Sequence, residues 1–158
     1  MNPIAVARRL LGPVALAGLL AVGCAGCGET RACTSMGGRS GVSADWNADA
    51  FADAAGVEPK RLSARLCVGE VCASRPARTT AASDAPPSDV DVRLADDIGE
   101  KRVQVRLTVR VGSGGDILFD ERTNATLRPF RPNGEGCSPT LYRASVTADP
   151  EQGLSAAP

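Results

Sequence analysis

Six cysteines, at positions 24, 27, 33, 67, 72 and 137, are the residues best able to do chemistry. Cys67 and Cys72 frame the stretch LCVGEVC, in which Gly69-Glu70 sits between apolar flanks. That pattern predicts a two-residue hairpin turn with glycine at its first central position. Val68 then opposes Val71, and Cys67 opposes Cys72 in a non-hydrogen-bonded pair, where side chains approach most closely. A cross-strand disulfide follows. A redox-active dithiol would instead show two residues between the cysteines near a helix start. The chain has no histidine. This removes Ser-His-Asp and Cys-His nucleophile systems and the commonest zinc and copper ligand. Met36 is the only methionine besides Met1, which disfavours a thioether copper site. No catalytic residue, metal ligand or cofactor is expected.

Other constellations read as structure. Asp45, Asn47 and Asp49 have calcium-loop spacing, but Ala50 and Gly56 stand where such a loop needs glycine and a bidentate glutamate. Asp96-Asp97 lie in a turn, and adjacent strand residues would point to opposite faces in any case. Arg102, Arg106 and Arg110 form an outward row that could meet an anionic polymer or lipid headgroups. The expectation is a solvated sheet face balanced by Asp89 and Asp91 on neighbouring strands. Asn124-Ala125-Thr126 matches a glycosylation sequon, a weak signal. Trp46 and Tyr142 are expected as core anchors rather than ligand platforms.

Composition narrows the class. Among 158 residues 43% are hydrophobic but only 3% aromatic, so a core must rest on Val, Leu and Ala. Lys and Arg total 18 against 18 Asp and Glu. Without Arg8 and Arg9 of the first 23 residues, no basic surplus remains to neutralise phosphates, and nucleic acid is not an expected partner. Residues 1–23 carry that positive pair, then an apolar run from Leu10 to Val22, then small residues. The run is too short for a membrane span of roughly 20 residues and reads as a secretory signal peptide. The AVGC at 21–24 resembles the lipobox of bacterial lipoproteins, with Ala21 where leucine is usual. The resemblance implies cleavage after Gly23 and lipidation of Cys24, anchoring the chain to the outer face of the cell membrane. An ordinary cut there would release the protein instead. Cys27 lies in a short tether spanning 24–32.

Beyond residue 40 the pattern alternates with period two, the mark of strands with one dry and one wet face. Val42, Ala44 and Trp46 share a face, as do Leu62, Ala64, Leu66 and Val68. Val90, Val92 and Leu94 form a third set, and Val103, Val105, Leu107, Val109 and Val111 a fourth. GSGG at 112–115 is a turn into ILFD and TNATLRPF, and Tyr142, Ala144, Val146 and Ala148 make the last set. The Ala-rich NADAFADAAG predicts a short helix after the first strand. About seven strands over 33–149 predict an all-β, immunoglobulin-like antiparallel β-sandwich stapled by disulfides, with a small barrel as the alternative and a frayed tail over 150–158.

Cys33 and Cys137 are the natural second pair, because a long closed loop gains most chain entropy. Cys27 is left over, and the sequence equally allows Cys27–Cys137 or Cys27–Cys33. RACTSMGGRSGVSADW, RLCVGEVC and PNGEGCSPTLYRASV together resemble a group of exported lipoproteins and secreted proteins of high-GC bacteria. The most specific piece is P-N-G-x-G-C-x-P-T-x-Y-x-A at 132–144. Members carry further cysteines where this chain has Gly38 and Leu141; the resemblance implies the loss of one disulfide here, and so the pairing Cys33–Cys137. No activity attaches to the group. The reading is a non-catalytic envelope lipoprotein, membrane-held through Cys24, that meets an envelope protein or glycan. Its rivals are a released inhibitor or signalling module, and an envelope enzyme using carboxylates or thiols.

Overall fold

The computed structural model describes residues 32–78 and 88–157. The expected leader, Cys24 and Cys27 lie outside them. In chain order the elements are β1 (Gly41–Trp46), α1 (Ala48–Ala55), a 3₁₀ turn (Pro59–Arg61), β2 (Leu62–Val68), β3 (Val71–Pro76), β4 (Ser88–Arg93), β5 (Lys101–Val111), β6 (Ile117–Phe130), β7 (Leu141–Asp149) and β8 (Gly153–Ala156).

Among the described residues the fold is all-β apart from one short α-helix and the 3₁₀ turn, and the strands run in the order β3-β2-β5-β6-β7-β1-β4, with β8 added on β7. Strand β6 belongs to both layers. From Ile117 to Leu127 it pairs with β5, and from Arg128 to Phe130 with β7. One layer is therefore β3-β2-β5 with the first part of β6. The other is β4-β1-β7-β8 with its end. The outermost strands β3 and β4 lie beside each other. Arg78, just after β3, joins them: its N–H donates to Ser88 Oγ at 3.0 Å and its guanidinium meets Asp89 at 2.8 Å. The result is a sandwich that comes close to a closed barrel.

Three expectations need correcting. Against the expected count of about seven, the described residues form eight strands: ILFD and TNATLRPF merge into one β6, while VCASRP and the tail each add a strand. The sheet is mixed: β1 runs antiparallel to β4 but parallel to β7, Gly41 opposite Arg143 through Trp46 opposite Ala148. A parallel partner needs a long connection, and everything between β1 and β7 supplies one. The tail is not frayed. Asp149 Oδ1 accepts from the N–H groups of Glu151 and Gln152, each at 2.9 Å, closing a turn that sends β8 back along β7. Glu121 Oε2 accepts the Leu154 N–H at 2.7 Å and ties β8 to β6.

The alternation otherwise lands as read. Val42, Ala44, Trp46, Leu62, Ala64, Leu66, Val90, Val92, Val105, Leu107, Val109, Val146 and Ala148 are all buried in one cluster. Helix α1 closes one end of it with Phe51, whose ring meets Phe119 edge-on at 5.2 Å and Trp46 at 6.2 Å. The helix starts where it does because Asn47 Oδ1 accepts from the N–H groups of Asp49 and Ala50, and ends at Gly56, whose φ of 66° is left-handed. Gly41 has a different reason to be glycine: a Cβ there would lie 2.2 Å from the Val92 carbonyl oxygen.

Both expected disulfides are present. Cys67 faces Cys72 across the β2–β3 hairpin with Cα atoms 4.1 Å apart, and Gly69 turns the corner at φ 58°. Cys33–Cys137 joins residues 104 apart in sequence. Loop entropy scales with that separation. Replacing Cys33 and Cys137 together by serine should cost about 4–5 kcal/mol, against about 2 kcal/mol for Cys67 and Cys72. Urea unfolding of the two double variants checks the order. Gly38 and Leu141 are also neighbours, a Cβ on Gly38 falling 2.4 Å from Leu141 Cδ1. A Gly38→Cys/Leu141→Cys variant should form a third bond, seen as no alkylatable thiol at either position.

Candidate functional site

The segment over 132–144 has a structural task. Asn133 Oδ1 accepts from the Met36 N–H at 2.7 Å and the Thr34 hydroxyl at 3.0 Å. Its Nδ2 donates to the Ser138 carbonyl at 2.6 Å. Beside it Cys137 is buried and bonded to Cys33. One asparagine and one disulfide thus fasten the segment before β1 to the loop before β7. Ser40 completes the joint: its hydroxyl accepts the Tyr142 N–H at 3.0 Å, its N–H donates to Asp96 at 3.2 Å, and its carbonyl accepts from Leu94 at 3.0 Å. Neither Asn133 nor Ser40 stood out in the sequence as a hub, because each joins segments far apart in the chain, Asn133 to Met36 and Ser40 to Tyr142.

The calcium-like spacing separates into three local roles. Asp45 lies on the outer face of β1, Asn47 caps α1, and Asp49 sits in the first helical turn, where the helix dipole favours an anion. Asp96 and Asp97 form a turn. Trp46 is 1% exposed and belongs to the core, and Tyr142 is half-buried against it, so neither offers a platform.

Carboxylates do gather on the outer face of the β4-β1-β7 layer. Asp45 stands directly opposite Asp89, with Asp91 two residues along β4. Burial first, and then the Asp89 and Asp91 charges, push the Asp45 carboxyl above its ordinary value. Asp89 is engaged by Arg78. This is a strained electrostatic corner on an open sheet rather than an acid pair converging in a deep cleft.

The arginine row is not balanced as expected. Asp89 and Asp91 belong to β4, in the other layer from β5. Side chains on the outer face of the β3-β2-β5-β6 layer follow from the register. Arg106 is opposite Arg122 and Cys67, and Thr108 is opposite Asp120 and Arg65. Arg102 and Arg110 lie on the same face of β5. Among the described residues of these paired strands, Asp120 is the one carboxylate facing the same way. It accepts from Arg106 Nε at 2.6 Å and pairs a second time through Nη2, a two-pronged contact that holds the Asp120 carboxyl below its ordinary value. Arg65, Arg106, Arg110 and Arg122 line a shallow concavity of about 460 Å³, to which Cys67, Cys72 and Ile117 also contribute. Arg110 Nε is buried and has no hydrogen-bond partner among the described residues.

No family model matches the chain, and no curated protein or solved structure shows a significant match to it.

The Asp45 corner makes a pH-dependent prediction. A carboxyl whose folded value is raised penalises the folded state above that value, and the penalty fades as pH falls toward the unfolded value of 3.8. Asp45→Asn should therefore raise Tm by about 1–3 °C at neutral pH. The gain should vanish near about pH 3, where both forms are neutral. Paired thermal melts at the two pH values check it.

Proposed function

We propose that the chain is an exported, non-catalytic module of the cell envelope, held at the membrane by lipid on Cys24 and presenting its sandwich to an envelope protein or glycan. The observation that carries the reading is the pair of disulfides. Every cysteine among the described residues is in one of them, and such bonds fit an oxidising, non-cytoplasmic compartment. No helix among the described residues is long and apolar enough to cross a membrane. A lipid on Cys24 would supply the attachment, each buried methylene contributing about 0.8 kcal/mol and two or three chains giving stable retention.

The sandwich suits binding more readily than turnover. Its densest polar groups lie on open sheet faces, where substrates are held without exclusion of water, and its described cysteines are committed to cross-links. Dry, enclosed sites are where acid–base groups gain most of their effect.

Cell fractionation with a radiolabelled lipid precursor tests the anchor. The parent chain should take up label and sediment with membranes, and Cys24→Ala should lose both. A parent chain found unlabelled in the medium would mark a released module instead, and one found unprocessed in cytosol would overturn export.

A further inference from the structure

We propose that the outer face of the β3-β2-β5-β6 layer binds a linear acidic polysaccharide, lying across the strands and held by Arg65, Arg106, Arg110 and Arg122. The inference starts from charge. Five arginines (65, 102, 106, 110 and 122) face outward from β2, β5 and β6, and Asp120 is the carboxylate set among them. Like charges directly opposite on paired strands are destabilising. Arg106 and Arg122 are such a pair, and a single aspartate, Asp120, hydrogen-bonded to Arg106 and within reach of the Arg122 charge, offsets the two of them. An arriving anion would offset the charge that remains.

Spacing then suggests the form of the anion. Directly opposed side chains on neighbouring strands begin about 5 Å apart and diagonal ones about 7–8 Å apart. Arg65 is diagonal to both Arg106 and Arg110, and Arg106 is opposite Arg122. A path from β2 over β5 to β6 therefore meets arginine side chains rooted about 7–8 Å and then about 5 Å apart. Along β5 alone, Arg102, Arg106 and Arg110 are roughly 13 Å apart. Closely repeated carboxylates on a polymer match the crosswise path better than the lengthwise one. Guanidinium forks take carboxylates in two-pronged fashion, as Arg106 already does with Asp120.

Chemistry around the arginines favours a sugar chain over other polyanions. Gln104 and Thr108 add neutral hydrogen-bonding groups to the concavity, suited to hydroxyls. No aromatic ring lines it, and stacking rings are what single-stranded nucleic acid uses. A bilayer meets protruding loops and apolar side chains, whereas here the charges sit on a sheet face and Ile117 is the one large apolar residue lining the concavity. The proposal rests on the envelope reading only for where such a polymer would be met. Binding is a property of the isolated oxidised chain, so it can fail while export holds, and the reverse.

Polygalacturonate is the probe, with neutral dextran and phosphatidylglycerol vesicles as comparison arms. The full oxidised chain should bind polygalacturonate and not dextran, and affinity should fall at least about tenfold from low to roughly 0.5 M salt. Arg65→Ala/Arg122→Ala should lose at least about tenfold in affinity while its circular dichroism stays unchanged and its Tm does not fall. Arg39→Ala/Arg93→Ala, which removes equal charge from the other layer, should bind as the parent does. Equal loss in both double variants would reduce the effect to net charge and overturn the site. Binding to vesicles without binding to polygalacturonate would assign the face to membrane, and would overturn the polysaccharide.

Discussion

The architecture depends on one strand being shared. Because β6 is hydrogen-bonded to β5 as far as Leu127 and to β7 from Arg128, the two layers cannot slide or separate without breaking a continuous backbone ladder. This matters in a protein so poor in rings. Its interior is Val, Leu and Ala with Trp46, Phe51 and Phe119 grouped at the helix end. Small aliphatic groups give non-directional attraction and little register information of their own. Backbone pairing through β6 supplies the register, and the aliphatic faces fill the space that results.

Alternation told which face each strand would bury, but not which strand would lie next to it. A period of two is a property of one segment. Neighbours are set by connections that cross the sandwich, and these leave no local trace. Asp89 and Asp91 illustrate the limit. Their outward orientation was legible, yet they sit across the molecule from the arginines they were expected to neutralise, and the real partner of Arg106 is Asp120 on β6. The parallel contact of β1 with β7 was hidden for the same reason. Strand β8 was missed on a different ground: four residues beginning with Gly153 carry too little hydrophobicity to announce a strand. The turn that makes it was nevertheless spelled out by Asp149, Pro150 and Gly153.

Local chemistry fared better than topology. The Gly69-Glu70 turn fixed the pairing of Cys67 with Cys72, because a two-residue hairpin leaves no freedom of register. The Asp-Asn-Asp spacing after residue 44 has the logic of a helix cap flanked by acids, which becomes plain only once α1 has a beginning. The arginine face lay between these cases. Its row on β5 was readable from one strand, but the contributions of Arg65 and Arg122 required knowing that β2 and β6 flank it.

Cys33 opens the folded unit and is also cross-linked to the loop ahead of β7. Any tension reaching that residue from the N-terminal side divides there. One path runs through sulfur into residue 137 and so into the interior of the chain, in parallel with the stretch leading to β1. Reduction would reroute the same pull through the Asn133 contacts and then along β1, which non-covalent forces, ladder hydrogen bonds and the buried Val42, Ala44 and Trp46, hold between its neighbours. The bond therefore acts as a mechanical shunt, and the redox state at this one position determines whether a tug on the chain is borne covalently or begins to draw β1 out.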